Sequence, residues 1–229
     1  MASFKWAVIS LAFAAALSAC GGGADNSPPP VVASVNPFNM RTGYQAMVVQ
    51  GYTKTYSISG SCTGTLTMQA TATTAVPPFE TIPAVSSTQS TIRNLSSGCP
   101  FGNNTSTLTQ YYNSSFLPIG FSNSDGAYGV SPSTPNMPAV VHVGDTGTIG
   151  SINLYTDNTK TIGLGHQSIL YTVDPDTATT ALVNLIYMRY DSNNALVAIE
   201  VDSFRMDANG NWTPFGLIAE AGSDHIVGR

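Results

Sequence analysis

The segment Asp191-Ser192-Asn193-Asn194-Ala195-Leu196-Val197-Ala198-Ile199-Glu200-Val201-Asp202-Ser203-Phe204-Arg205-Met206-Asp207-Ala208-Asn209-Gly210-Asn211 sets the architecture. Two polar turns bracket a run in which Val197, Ile199 and Val201 fall on one face and Glu200 and Asp202 on the other. That is the period of a strand buried on one side. It predicts aliphatic residues toward a core and carboxylates toward solvent. Asn209-Gly210 between two apolar runs is a strong hairpin signal, so residues 212–219 should return antiparallel.

The pattern repeats upstream. Strand-like runs at 139–143, 146–155, 161–173 and 179–190 are separated by Thr156-Asp157-Asn158-Thr159 and Asp174-Pro175-Asp176, short polar links that join antiparallel neighbours into a meander. Residues 182–188 are apolar on both faces except at Asn184, which predicts a central strand covered on both sides. In the first half, runs at 52–59, 65–74, 90–95, 105–112 and 126–130 also read as strands, with Gly60-Ser61-Cys62-Thr63-Gly64 as a corner. Between Asn39 and Gln50, Met40, Tyr44, Met47 and Val48 fall at helical spacing, and Gly51 marks a stop. The expected fold is mainly β, an antiparallel sandwich or a meander or barrel-like sheet, with one short N-terminal helix covering a face or edge. No Trp lies between Cys62 and Cys99, so the first half departs from the immunoglobulin pattern.

Charge divides the chain. Residues 20–130 carry three acids and three bases, whereas residues 131–229 carry ten acids and four bases. The change coincides with Ser131-Pro132-Ser133-Thr134-Pro135-Asn136-Met137-Pro138, whose prolines block regular pairing. A boundary is expected there, between two domains or between two halves of one. Only 9% of residues are charged, against about 25% in an average soluble protein. Ser, Thr and Asn must therefore wet much of the surface. With no cluster of Lys and Arg to neutralise phosphates, nucleic acid is not an expected partner.

The N-terminal residues supply an address. Only Lys5 is charged before Cys20, and residues 6–17 are apolar apart from Ser10, too short a run to span the roughly 30 Å of a hydrocarbon core. Leu17-Ser18-Ala19-Cys20 closes that run and resembles the lipobox of bacterial lipoproteins. The resemblance implies cleavage before Cys20, a diacylglycerol on its sulfur and fatty acylation of the new amino terminus; Gly21 in the second mature position implies the outer membrane. Residues 1–19 then form a signal peptide and residues 20–38 a Gly- and Pro-rich tether, followed by the regions 39–130 and 131–229. The membrane is engaged through the N-terminal lipid, and an envelope protein or a small ligand remains as a partner. In that oxidising compartment Cys62 and Cys99 are expected to pair.

No constellation demands chemistry. Gly60-Ser61-Cys62-Thr63-Gly64 has the form of a nucleophile elbow, but the thiol has a disulfide partner and no helix follows. His142, His166 and His225 lack zinc-type spacing. Asp207-Ala208-Asn209-Gly210-Asn211 begins like a calcium loop yet has Ile218 where the bidentate Glu belongs, so the hairpin reading prevails. Glu200 and Asp202, about 7 Å apart along one face, would suit a glycosidase pair, and an acidic solvent face predicts the same residues. Tyr111, Tyr112, Tyr187, Tyr190, Trp212 and Phe215 could form an aromatic platform or ordinary cross-strand pairs. The expectation is therefore a non-catalytic envelope binding or structural module without metal or cofactor. The alternatives are an envelope hydrolase whose Asp, Glu and His converge only in the fold, and a barrel-like carrier of an apolar ligand.

Overall fold

A computed structural model describes residues 33–229; Cys20, the signal-like segment and most of the tether lie outside them. Among the described residues thirteen antiparallel strands follow a single helix: α1 (Met40–Gln50), β1 (Tyr52–Gly60), β2 (Gly64–Ala70), β3 (Thr74–Phe79), β4 (Ile82–Leu95), β5 (Thr105–Tyr112), β6 (Pro118–Asn123), β7 (Tyr128–Val130), β8 (Thr146–Tyr155), β9 (Gly163–Pro175), β10 (Thr180–Tyr190), β11 (Leu196–Asp207), β12 (Trp212–Ala221) and β13 (Asp224–Gly228). From β4 to β13 each strand pairs with the next in sequence, β13 pairs with β1, β1 with β2, and β2 with β4. The sheet thus closes into a twelve-stranded barrel with β3 outside the ring. Closure is possible because β4 is long. Its residues 89–95 receive β2 and residues 82–86 receive β3, on the same edge.

The fold is the barrel-like form of the expected mainly β architecture, and strands on both sides of residues 131–138 belong to one sheet. Some runs differ from expectation. Residues 139–143 form no strand and make only one bridge, Phe38 with Val141, because the prolines before them keep this connection irregular. Three strands escaped the periodicity: β3 carries Pro77-Pro78 and pairs on one edge only, β6 begins at Pro118 and contains Gly120, and β13 is five residues long.

The helix plugs one end of the barrel rather than covering a face or edge of the sheet. Phe38, Met40, Tyr44 and Val48 pack with Phe204, Met206, Trp212 and inward residues of β8 to β10. Gly43 permits the seat: a Cβ there would come within 1.8 Å of the Gly210 carbonyl oxygen and 2.4 Å of the Trp212 ring. A second apolar cluster, Tyr56, Ile58, Leu66, Leu95, Leu217 and Ile226, fills the barrel where β1, β2, β4, β12 and β13 approach. The Cys62–Cys99 disulfide belongs to it and ties the β1–β2 corner to the segment after β4. Between the two clusters the barrel is hollow.

Candidate functional site: a charged lumen

Strand alternation decides what faces the hollow. On β11, Glu200, Asp202, Phe204 and Met206 point inward, and Ile199, Val201, Ser203 and Arg205 point out. The acids expected in solvent are therefore inside, and the aliphatic residues expected in the core are on the outer wall. The sequence period is right and its polarity inverted. β10 is inverted in the same sense. Ala181, Val183, Leu185 and Tyr187 point inward, while Leu182, Ile186 and Met188 stand half-buried on the outer wall, so this strand is not covered on both sides. Asn184 on that wall donates to Thr172 Oγ1 at 3.0 Å and Asp174 Oδ2 at 2.7 Å and accepts from Ser203 at 2.6 Å.

The lumen encloses about 440 Å³, within the range of small-molecule sites. Tyr44, Met47 and Val48 of the helix form its floor. Polar wall residues include Gln89, Arg93, Gln110 and Gln167, and exposed Asp125 and Arg189 mark where it meets solvent. Several of these groups are satisfied by the barrel itself. Gln89 Nε2 donates to the Tyr112 hydroxyl at 3.1 Å, Gln110 Nε2 to the Gly120 carbonyl at 2.8 Å, and Arg93 Nη1 to Asn104 Oδ1 at 3.0 Å and Ser106 Oγ at 3.3 Å.

One lumen carboxylate is not satisfied. Asp202 is only 8% exposed, and its Oδ1 has no hydrogen-bond partner among the described residues. Glu200 retains accessible surface although the wall encircles it, because what it meets is lumen space. Burial pushes both carboxyls up from the ordinary range; Glu200 raises Asp202 further, whereas Arg93 partly offsets the rise at Glu200. Burial likewise raises the phenols of Tyr44, Tyr52 and Tyr187, and the negative charge of Asp202 adds to the rise at Tyr52 and Tyr187. Tyr187 lies directly across from Glu200 on the neighbouring strand.

Other candidates from the sequence are dispersed. Among the aromatic residues, Tyr112, Tyr187 and Trp212 face inward, whereas Tyr111, Tyr190 and Phe215 lie on the outer wall, where Tyr111 stacks on Phe79 at 4.2 Å, Tyr190 on His166 at 4.7 Å, and Phe215 under Arg205 at 4.6 Å. They do not make one platform. His142, His166 and His225 sit far apart in the topology, on the loop before β8, on β9 and on β13. No group of three His, Cys, Asp or Glu residues at metal-holding distance occurs among the described residues. Asp207 caps its own turn, accepting from the Asn209 and Asn211 backbone amides at 2.9 Å each. Cys62 is engaged with Cys99.

The outer wall of β1 presents Thr53, Thr55, Ser57 and Ser59 to solvent, and β2 presents Thr65 and Gln69. A barrel embedded in a bilayer needs an apolar outward band about 25 Å tall. β1 and β2 show no such band. The chain matches no family model, no curated protein and no solved structure.

Proposed function

We propose that this protein is a lipid-anchored envelope lipoprotein whose barrel captures a small molecule in its lumen without transforming it. The single observation that carries the reading is a hollow of about 440 Å³ between two packed apolar clusters, lined by tyrosines, Glu200 and an Asp202 whose Oδ1 lacks a partner among the described residues. A chain that needed only a stable wall would fill that space, since packed interiors contain few voids larger than water. The polar lining favours an amphipathic ligand over a purely apolar one. Catalytic carboxylates are held by supporting hydrogen bonds, and Asp202 lacks one at Oδ1, so binding is favoured over hydrolysis. The lipobox at Cys20 supports attachment to the outer membrane, with the hydroxyl-rich wall in the aqueous phase.

The test is uptake of the environment-sensitive dye N-phenyl-1-naphthylamine by the purified protein, read as fluorescence enhancement. Leu108→Trp, which fills the lumen, should abolish the signal, and Thr109→Trp, the adjacent residue of the opposite parity, should leave it intact. Equal signals from both variants would put the binding site elsewhere. Cell fractionation tests the anchor: Cys20→Ala should release the protein from the membrane, and retention would overturn that part of the reading.

A further inference from the structure

We propose that the occupant of the lumen is an organic cation, a protonated amine or quaternary ammonium on an apolar body, with Asp202 as its counter-ion, Glu200 beside it and the rings of Tyr52 and Tyr187 as its walls. The inference rests on the reading of the lumen as a ligand site and names the chemistry that site selects.

An ionised carboxylate without partners is among the costliest groups to bury. Asp202 is 92% buried by its 8% exposure, faces the lumen, and leaves Oδ1 unpartnered among the described residues. Among the described residues, no cation that lines or approaches the lumen is paired with either acid: Arg189 stands exposed at the solvent mouth, and the others make contacts of their own. Arg93 bonds to Asn104 and Ser106, the Lys54 ammonium lies over the Tyr56 ring at 5.7 Å, and Arg205 points outward to Asp176 at 2.7 Å. Neither lumen carboxylate belongs to an ion pair among the described residues. The wall thus holds two acids on one strand, Glu200 exposed to the lumen and Asp202 showing it only a small part of its surface.

The surrounding surface selects the kind of cation. Tyr52 and Tyr187 line the same space, and the Tyr52 ring meets Phe204 edge to face at 6.3 Å. Aromatic faces attract organic cations, and the attraction grows when water is excluded. Calcium takes six to eight oxygen ligands, and the lumen offers two carboxylates with no third acid or His beside them. A metal ion would remain underligated, whereas an alkylammonium needs one or two acceptors and an apolar envelope. The apolar body would extend toward Met47, Val48 and Leu108, which share the lining.

Calorimetry with three probes of one shape tests the proposal: phenethylamine, protonated near neutral pH; 2-phenylethanol, its uncharged counterpart; and phenylacetate, its anionic one. The amine should bind at least about tenfold more tightly than the alcohol, the factor expected of a charge-assisted contact, and the anion least. Asp202→Asn should lower amine affinity to that of the alcohol while alcohol affinity stays unchanged, which also shows that the variant folds. Glu200→Gln should reduce amine affinity less. Equal binding of amine and alcohol, or preference for the anion, would overturn the cation inference and leave the lumen reading standing. So would failure of all three probes while N-phenyl-1-naphthylamine still enters. If that dye is excluded as well, both readings fall.

Discussion

The helix end and the middle of the barrel use the same strands for opposite ends. At the helix end, β11 contributes Phe204 and Met206, which close on Tyr44 and Trp212: the Trp212 ring sits 5.7 Å from Tyr44 and 5.3 Å from Phe204, and its indole N–H points at the Met206 sulfur at 3.1 Å. Two residues earlier the same inward face carries Asp202 and then Glu200, both of which line the lumen. One strand therefore passes from a packed plug to an acidic lumen wall within four positions. Stability is concentrated where the barrel is filled, and the proposed binding where it is hollow.

Breaking the filled end should have the largest effect. Trp212→Ala removes the ring that Tyr44 and Phe204 pack against, and should cost about 3–5 kcal/mol, measured by chemical denaturation. A loss below about 1 kcal/mol would mean that the helix is not a structural plug.

Altering the hollow region should have the reverse sign. Burial raises the Asp202 and Glu200 carboxyls, so the folded barrel holds their protons more tightly than the unfolded chain does. The resulting stabilisation is full below the ordinary carboxylate pKa of about 4 and is lost as pH rises through the raised values. The groups facing this pair are Tyr187 and Arg189 on β10, Tyr52, Lys54 and Tyr56 on β1, Tyr44 on α1 and Arg93 on β4. Of these, Arg93 opposes the shift at Glu200, so Asp202 is the better target. Asp202→Asn should match the parent near pH 4 and exceed it by about 1 kcal/mol near pH 8 in the ligand-free protein. A variant less stable than the parent at both pH values would show that Asp202 is structurally satisfied.

The smallest effect is expected on the outer wall. Leu170, Ile186, Val201, Ile218 and Val227 lie opposite one another across β9 to β13. Val201→Thr keeps the β-branched shape and exchanges a half-exposed methyl for a hydroxyl, so thermal unfolding should register a change within about 0.5 kcal/mol. A cost of several kcal/mol would mean that this wall is covered by something other than water.

Much of the framework was legible beforehand. The run at 105–112 matches β5 and the run at 146–155 matches β8, because β-branched alternation bounded by turn residues is a local signal. Met40, Tyr44 and Val48, expected on one helical face, are the residues the plug buries. Glu200 and Asp202 were visible as a pair on one face, and their location was misjudged. An alternating strand states that two faces differ, and the usual assignment of the aliphatic face to the inside assumes a solid core. In a hollow barrel the inside can be the polar side, and the outer wall can carry Ile199 and Val201 half-covered by their cross-strand neighbours.

The sequence by itself determined the strand periods, the turns, the helix, the cysteines available to pair and the resemblance around Cys20. Each depends on residues close in the chain or on composition. Only the tertiary structure decided that β2 returns to β4 and β13 to β1, that the helix enters one end, and that the acids of β11 look inward. Ring closure joins residues far apart in sequence, such as Ser59 and Val227, and which face becomes the inside is fixed by the direction in which the whole sheet curls. No single strand carries that information.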